Sequence, residues 1–271
     1  MNILRAEEAP FHELQYRSVT ARGPASDSLP FLRVTVNRLP RGIDALVLTS
    51  DLQGRAAGAG RGRLLGLVVA EELQRLEQLG ELPALARTGV LLAGDLHCDE
   101  DQRGGLGDVR PVWRAFANHC AWVVGVPGNH DAFGNTESER TAFQRGPNWQ
   151  VLDLGLGPRG DATEVQGFRI AGVAGIIGRT DKPYRREEGN FVSAVTAQLA
   201  NRPDIAITHQ HPQCEGVSRP GSAAYRQVLE RHTGLVMFGH THVQQPVLRF
   251  GRTCSALCTD GRLFVLTETV K

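Results

Sequence analysis

The stretch Ala45-Leu46-Val47-Leu48-Thr49-Ser50-Asp51-Leu52-Gln53 joins an apolar run to a carboxylate and an amide. An aliphatic run of this length, broken by Asp51 and then by Gly54, predicts a buried β-strand that ends at a turn. Open α/β sheets place their chemistry at the carboxyl ends of their strands. Asp51 and Gln53 are therefore the first candidates for a functional site.

The same arrangement, an apolar strand followed at once by polar side chains, recurs four more times. The four cases are residues 89–93 before Gly94-Asp95, 122–127 before Gly128-Asn129-His130-Asp131, 205–208 before His209, and 235–238 before Gly239-His240-Thr241-His242. Taken singly, each motif is weak, because Asp at a strand end is often a helix cap or a turn residue. Five strands that each deliver Asp, Asn, Gln or His predict a single metal-binding site.

The composition is that of an ordinary globular protein, with 41% apolar residues and a net charge of +1 over 271 residues. No stretch approaches 18 consecutive apolar residues, and the N-terminus has no apolar segment typical of signal peptides. We therefore expect a cytoplasmic protein without a membrane span, whose five cysteines are reduced. Nearly all basic residues are arginine, a bias that a GC-rich genome would produce and that also suits phosphate contacts. The composition leaves the oligomeric state open.

Alternating strand and helix patterns predict one α/β domain over residues 31–271. Periodic apolar residues predict helices at residues 64–79, 109–120, about 190–200 and 221–232, each between two predicted strands. Strand–helix–strand repeats form right-handed crossovers and a largely parallel sheet. We expect two sheets packed face to face with helices outside. Residues 1–30 are predicted to form a partly flexible N-terminal extension, with a short helix and then a loop at residues 20–28.

A loop rich in glycine and arginine, residues 54–63, follows the first motif. Its glycines do not complete the GxGxxG dinucleotide-binding pattern, since the sixth position is Arg63 or Leu65, depending on the starting glycine. We favour the interpretation that it is a flexible, cationic flap beside the metal site. The candidates for binding substrate phosphate are Arg55, Arg61 and Arg63 in this loop, together with Arg179.

The order of the five motifs (DxQ, GD, GNHD, TH and GHTH) and their strand–helix spacing resemble the calcineurin-like metallophosphoesterase superfamily over residues 44–270. The resemblance implies a four-layer α/β/β/α sandwich of two mixed sheets flanked by helices, with a site for two divalent metal ions. It also implies hydrolysis of a phosphoester by water. Two cations close together call for carboxylates that offset their charge, while neutral imidazoles and amides fill the remaining positions.

The resemblance implies a role for each motif residue. The first metal would be bound by Asp51, Gln53 and His242, the second by Asn129, His209 and His240, and Asp95 would bridge both. His211 is a second candidate for the position of His209, although the family motif favours His209. His130 would lie beside the phosphate as an acid or charge stabiliser, oriented by Asp131.

Gln53 departs from the family pattern, which is DxH and has a histidine at this position. One interpretation is a scaffold that lost metal ligands and no longer catalyses. Every other ligand position is kept, so we favour the alternative that Gln53 tunes the choice of metal. An amide oxygen is a harder ligand than an imidazole nitrogen and shifts the preference from zinc or iron to manganese or magnesium. We therefore expect two divalent ions, with Mn²⁺ as the native metal.

The hypothesis for function that follows is a manganese-dependent phosphodiesterase, and most specifically an endonuclease acting on single-stranded DNA. A manganese-leaning site is similar to the nuclease branch of the superfamily associated with bacterial DNA repair. Several arginines near Asp51 could grip successive phosphates. The near-neutral net charge argues against a nuclease, since many nucleic-acid enzymes are basic. The alternatives are a phosphodiesterase for small cyclic nucleotides and a phosphomonoesterase.

Overall fold

Two β-sheets pack face to face, and helices cover their outer surfaces. The structure is a computed structural model, and it describes residues 1–20, 23–57, 62–100, 105–217 and 220–269. Within these residues the strands, in chain order, are β1 (Ile3–Ala6), β2 (His12–Thr20), β3 (Gly23–Val36), β4 (Ala45–Thr49), β5 (Gly54–Ala56), β6 (Thr88–Leu92), β7 (Gly107–Asp108), β8 (Trp122–Gly125), β9 (Asp131–Ala132), β10 (Trp149–Val151), β11 (Asp161–Val165), β12 (Phe168–Val173), β13 (Ile176–Ile177), β14 (Arg185–Arg186), β15 (Ile205–Thr208), β16 (Gly234–Phe238), β17 (Val247–Phe250), β18 (Cys254–Cys258) and β19 (Leu263–Glu268).

Four of the helices in the described residues are those predicted from periodicity. The helices are α1 (Leu65–Gln78), α2 (Arg110–His119), α3 (Glu137–Phe143), α4 (Glu188–Ala200) and α5 (Ala223–Glu230), and a short 3-10 turn lies at Leu85–Arg87. Helix α3 was not predicted. It begins at a capping box, in which the Thr136 hydroxyl accepts a hydrogen bond from the Glu139 N–H. None of these described helices has the length and apolar character needed to cross a lipid bilayer.

The larger sheet carries three of the five motif strands. Its strand order is β10-β8-β6-β4-β19-β3-β2-β5, and β1 pairs with β3. Strands β4, β6 and β8 run parallel, with Thr49 opposite Leu92. Their carboxyl ends therefore meet at one edge, where the chain continues into Asp51, Asp95 and Asn129.

The smaller sheet carries the other two motif strands. Its order is β11-β12-β15-β16-β18-β17. Strands β15, β16 and β18 run parallel, and Phe238 at the end of β16 lies between Thr208 of β15 and Cys258 of β18. The carboxyl ends of β15 and β16 thus lie side by side and lead into His209 and His240.

Three apolar clusters hold the layers together. Between the sheets, Leu46 and Leu91 of the larger sheet share a cluster with Ile207 and Met237 of the smaller one. Helices α1 and α2 share a second cluster with the outer face of the larger sheet. Helices α4 and α5 share a third with the outer face of the smaller sheet. This sequence of layers is α/β/β/α, so the predicted fold is confirmed.

The N-terminal residues differ from the expected helix and loop, and that prediction is wrong. Strands β1 and β2 both pair with β3, and β2 also pairs with β5, which begins just after Gln53. Residues 23–28 are the first part of β3, which continues to Val36. The prediction failed because strand pairing over long sequence distances outweighs weak local propensity. The pairing places β2 next to the segment that carries Gln53.

Candidate metal centre

Three of the predicted metal ligands adopt a backbone conformation that is rare for residues other than glycine. The φ angles are 52° at Asp51, 55° at Asp95 and 69° at His240. Each of these residues follows a buried strand and turns the chain at the edge of its sheet. Such conformations cost about 1–3 kcal/mol each and cluster at functional sites.

Two motif glycines leave room for the carboxylates of the site. A Cβ atom at Gly239 would lie 2.3 Å from Oδ2 of Asp51, and one at Gly128 would lie 2.1 Å from Oδ1 of Asp95. No side chain fits at either distance. The glycines of the GHTH and GNHD motifs are therefore required by the close approach of these two aspartates.

The residues expected to hold the second metal are brought together. The ligand atoms of Asp95, His209 and His240 all lie within 4.8 Å of one another. Nδ1 of His209 donates a hydrogen bond to the Ala93 carbonyl over 2.6 Å, which leaves Nε2 as the ligand atom. The ring of His211 packs near His240, with 5.8 Å between the ring centroids. Of the two histidines considered for this position, His209 is the one in the cluster.

His209 and Asp95 form a buried ion pair within this cluster. Nε2 of the fully buried His209 lies 3.2 Å from Oδ2 of Asp95. Two electron-rich atoms approach this closely only when a proton or a cation lies between them. Burial by itself would lower the pKa of His209, but the Asp95 and Asp51 carboxylates raise it to about 10. Burial would raise the pKa of Asp95, but His209 and His130 lower it to about 2, so this carboxylate stays ionised.

The side chain of Asn129 has a buried oxygen atom that is available to a metal ion. Asn129 is 8% exposed, and its Oδ1 atom is buried without a hydrogen-bond partner among the described residues. A buried carbonyl oxygen without a partner is costly unless a ligand satisfies it. Carboxylates, an amide oxygen and neutral imidazoles are also the donors that divalent ions use in proteins. The residues therefore fit a metal ion at this position.

Asp51 stands on the side expected to hold the first metal. Its Oδ2 atom accepts hydrogen bonds from the Ser50 hydroxyl over 2.6 Å and from the His240 backbone N–H over 3.0 Å. Burial raises the pKa of Asp51 well above its ordinary value, and the nearby Asp260 carboxylate raises it further. An ionised carboxylate in this position needs a cation to offset its charge.

The residues expected to bind the first metal are less closely grouped than those expected to bind the second. Nε2 of Gln53 donates to Oδ2 of Asp95 over 3.3 Å. His242 is exposed, with Nδ1 3.2 Å from the Asp260 carbonyl and Nε2 3.1 Å from Nη2 of Arg262. Both ring nitrogens of His242 thus have hydrogen-bond partners, and the residue stands outside the cluster formed on the second-metal side.

His130 lies beside the bridging carboxylate, and its imidazole is 29% exposed. Its Nε2 atom is 4.0 Å from Oδ2 of Asp95, and its backbone N–H donates to Oδ1 of the same residue over 2.9 Å. Nδ1 donates to the Gly105 carbonyl over 2.7 Å. The prediction that Asp131 orients His130 is therefore wrong, because the Gly105 carbonyl has that role.

Asp131 instead holds two loops of the site together. Its fully buried carboxylate accepts backbone N–H bonds from Asp95 and Gly128 at 2.9 Å and from Leu96 at 2.7 Å. Burial and Asp95 raise the pKa of Asp131 to about 6, although the Gly128 and Leu96 donors act to lower it. The carboxylate thus joins the loop after β6 to the loop after β8.

We expect Asp131→Ala to destabilise the protein by about 3 kcal/mol or more, because three buried N–H groups would lose their acceptor. For a chain of this size that corresponds to a fall in Tm of about 6–12 °C, measured by calorimetry. Asp44→Ala is the matched control, since Asp44 forms only a surface ion pair with Arg87 and should change stability by less than about 1 kcal/mol. An unchanged Tm for Asp131→Ala would show that the loops do not depend on this carboxylate.

The arginines predicted to bind phosphate have other partners in the structure. Arg55 donates to backbone carbonyls of two neighbouring loops. Arg63 and Arg179 pair with surface carboxylates over 2.5 and 2.6 Å. Arg61 lies outside the described residues. Exposed ion pairs contribute at most about 1 kcal/mol, so a phosphate could compete for Arg63 or Arg179 more readily than for Arg55.

Sequence reasoning missed Asp260 and Arg262, which both contact His242. The run Cys254–Cys258 followed by a carboxylate is the same strand-end signal as at Asp51. The signal is weaker here, because a serine and two cysteines make the run less clearly apolar. The carbonyl partners of His130 and His209 have no signal in the sequence.

Comparison with known proteins identifies the family. Residues 46–244 match the calcineurin-like phosphoesterase family, and the chain belongs to that family. Two similar solved structures, each 16% identical, are the Thermus thermophilus sulfate thiohydrolase SoxB in complex with glycerol and a hypothetical protein from the same organism. The first match covers 83% of this chain and 53% of SoxB with a TM-score of 0.44, and the second covers 80% and 76% with a TM-score of 0.46. This chain therefore spans about half the length of SoxB. A search of curated protein sequences found no match to this chain.

The family to which the chain belongs uses two divalent metal ions. When bound, such ions polarise phosphoryl oxygens and make a bound water more acidic. Asp95, Asn129, His209 and His240 would hold one ion, and Asp51, Gln53 and Asp95 the other. The partly exposed imidazole of His130 would give a proton to the leaving oxygen or stabilise charge on the phosphate. Asp131 holds the loop that carries Asp95 and the loop that carries His130 in place relative to each other.

Proposed function

We propose that this protein is a manganese-dependent, two-metal phosphodiesterase that cleaves single-stranded DNA internally, in the cytoplasm. The preference for manganese is supported by the ligand chemistry. Asp51, Asp95, Gln53 and Asn129 all offer oxygen atoms, and Gln53 stands where the family pattern has an imidazole. Oxygen ligands favour Mn²⁺ or Mg²⁺, whereas nitrogen ligands favour Zn²⁺.

The DNA substrate is supported by cationic residues on two segments that are connected to the site. On one side, Arg17 of β2 lies opposite Arg55 of β5, which begins one residue after Gln53. Nε of Arg17 has no hydrogen-bond partner among the described residues. Arg55 is already bonded to backbone carbonyls, so Arg17 is the cation of this pair that a substrate phosphate would contact more readily.

On the other side, the segment 176–186 is attached to the histidines of the site. The backbone N–H of Ile177 donates to Oε1 of Gln210 over 2.8 Å, and Gln210 lies between His209 and His211. The segment carries Lys182 and Arg185, which line a pocket of about 370 Å³. A small phosphomonoester would not need cations on two sides, whereas a strand with several phosphates would contact both.

The proposal is tested with circular single-stranded DNA in buffer containing Mn²⁺. We expect the wild-type protein to linearise and then fragment the circles, because an endonuclease needs no free end. Activity should be higher with Mn²⁺ than with Zn²⁺ at neutral pH and should fall steeply as salt rises, as phosphate contacts require. Asp95→Asn is the inactive control. Intact circles would contradict the nuclease proposal.

A phosphodiesterase for small cyclic nucleotides is the second candidate. A groove of about 510 Å³ begins at Val243, the residue after His242, and is also lined by Phe250 and Arg226. Its size and its mixture of apolar and cationic residues suit a single nucleoside phosphate. Rapid hydrolysis of a cyclic nucleotide beside intact DNA circles would favour this function. Two bound ions without hydrolysis of any phosphoester would favour a non-catalytic scaffold.

A further inference from the structure

Strand β10 of the larger sheet also ends close to a carboxylate, that of Asp153. Strand β10 runs parallel to β8, whose carboxyl end leads into Asn129. The side chain of Asp153 is 1% exposed, and its φ of 56° is the same rare conformation that three of the expected metal ligands adopt. A buried carboxylate on a strained backbone therefore lies at the same edge of the sheet as the metal cluster.

The carboxylate of Asp153 is occupied by a buried ion pair. Its Oδ2 atom accepts a hydrogen bond from Nη2 of Arg186, whose side chain is 5% exposed. Nε of Arg186 donates to the Ala174 carbonyl over 3.2 Å, and Nη1 donates to the Gly157 carbonyl over 2.9 Å. The carboxylate accepts the backbone N–H groups of Ala174 and Gly157, each over 2.8 Å. The pair thus binds both backbone polar groups of each of these two residues.

Ala174 is the residue through which the ion pair reaches the smaller sheet. It directly follows β12, which runs parallel to β15, the strand that leads into His209. The two sheets come close here, because a Cβ atom at Gly172 would lie 2.8 Å from Cβ of Leu152, the residue after β10. The ion pair therefore ties the carboxyl end of β10 to the carboxyl end of β12, across the interface between the sheets.

The residue after Ala174 is bonded to the loop of the larger sheet that carries Asn129. The backbone N–H of Gly175 donates to the Pro127 carbonyl over 3.2 Å. Pro127 lies two residues before Asn129 in the loop after β8. Because this donor is adjacent to Ala174, any shift of Ala174 acts on the bond to the Asn129 loop.

The same segment is bonded to the loop of the smaller sheet that carries His209. The backbone N–H of Ile177 donates to Oε1 of Gln210, the residue after His209, over 2.8 Å. Nε2 of Gln210 donates to the His211 carbonyl over 2.9 Å, so the amide group is held on both sides. Residues 175–177 thus connect two loops that belong to different sheets and carry expected ligands of the second metal.

The ion pair of Asp153 and Arg186 supplies geometry more than stability. A buried ion pair is often no more stabilising than well-packed apolar residues of the same volume, because both charges lose their hydration. The planar guanidinium of Arg186 nevertheless fixes three acceptors at once, and the Asp153 carboxylate fixes three donors. Groups that hold metal ligands in place in this way determine the affinity for the metal.

We propose that Asp153 and Arg186 are positioning residues for the second metal ion, and that they set the spacing between the loops that carry Asn129 and His209. Neither residue binds the ion; both act through Ala174 and the segment 175–177. The inference rests on the two-metal site of the family and not on the DNA substrate, so failure of the nuclease proposal would leave it standing.

The test is Mn²⁺ binding to the intact protein, measured by calorimetry and by electron paramagnetic resonance without any substrate. Wild-type protein should bind two ions and show the spectrum of a coupled pair. Asp153→Asn, which removes the charge, and Arg186→Lys, which keeps the charge but loses the fork of donors, should each weaken one ion by about 10–100-fold. At limiting Mn²⁺ both variants should show a single uncoupled ion.

Two further variants identify the ion that is weakened. Gln210→Ala breaks the bond to Ile177 without touching the ion pair, and it should weaken the same ion. Asn129→Ala removes an expected ligand of the second metal. Adding Asp153→Asn to Asn129→Ala should weaken the remaining ion by less than about twofold, because both substitutions act on the second site.

Leu73→Ala is the matched control for a purely structural effect. Leu73 is fully buried in α1, on the outer face of the larger sheet, and its truncation should lower Tm while both ions bind as in the wild type. If Asp153→Asn and Arg186→Lys behave in the same way, or weaken both ions equally, the proposal is overturned.

If neither variant of the ion pair folds, Gln210→Ala decides the question. Two ions bound to that variant with wild-type affinity would then overturn the proposal. Wild-type protein that binds fewer than two ions would overturn it together with the two-metal part of the proposed function, whereas intact DNA circles would contradict only the nuclease.

Discussion

Replacing Asp95 with alanine is expected to remove bound metal and to lower the hydrolysis of an aryl phosphodiester by at least about 10³-fold. Asp95 is the residue whose carboxylate contacts both sides of the site. Its Oδ2 atom lies 3.2 Å from Nε2 of His209 and 3.3 Å from Nε2 of Gln53. Its Oδ1 atom also accepts the backbone N–H of His130. The substitution therefore removes the charge shared between two cations and a bond that positions His130.

Metal content, by elemental analysis, and the rate should be measured on the same preparations. Asp95→Asn keeps the volume of the side chain and separates the loss of charge from the loss of packing. Asp44→Asn changes charge by the same amount on the same sheet, but at a surface ion pair with Arg87, and should keep both ions and full activity. If Asp95→Ala retains two ions and a tenth or more of the activity, Asp95 does not bridge the metals.

Replacing His130 with alanine is expected to leave both ions in place and to lower kcat by about 10²-fold or more. The imidazole is partly exposed, with its Nε2 atom 4.0 Å from Oδ2 of Asp95, so it faces the open space beside that carboxylate, where we expect the phosphate to lie. Its Nδ1 atom is bonded to the Gly105 carbonyl, which keeps Nε2 directed to that space. We expect a group in this position to act on the transition state and not to bind the metals.

The control for His130 is His119→Ala, at the exposed end of α2, which should change neither metal content nor rate. A substrate with a good leaving group, such as a nitrophenyl ester, should show a smaller loss in His130→Ala than an alkyl ester does, if the imidazole protonates the leaving oxygen. Loss of an ion together with activity would reassign His130 as a ligand. An unchanged rate on both esters would show that His130 takes no part in the reaction.

The identity of the residues at the sheet edge was predictable because the signals are local. An apolar run such as 45–50 must be buried, and the polar residue that ends it must lie at a strand terminus. Parallel strands of one sheet end at a common edge, so Asp51 and Asp95 were expected to meet. The amphipathic face of α1 likewise follows from spacing alone, and its residues Leu65, Val69 and Leu73 are buried as expected.

The partners of those residues were not predictable, because hydrogen bonds form between segments that only the folded layers bring within reach. His130 was expected to pair with its neighbour Asp131, but its partner is Gly105, 25 residues away in the sequence. The Asp131 carboxylate instead accepts hydrogen bonds from three backbone N–H groups in the loops of the site. For a buried polar group, satisfying such donors outweighs proximity along the chain.

The sequence by itself determined the α/β/β/α layers, the five strand-end motifs and the family, because strand and helix periodicity and motif order are properties of short segments. Only the tertiary structure decided that residues 3–6 and 12–20 are strands, that Arg55 is bonded to neighbouring loops, and that Asp260 pairs with Ser50. Each of these depends on pairing between segments distant in the sequence. Such pairing is selected by the burial and hydrogen bonding of the whole fold, and no local pattern records it.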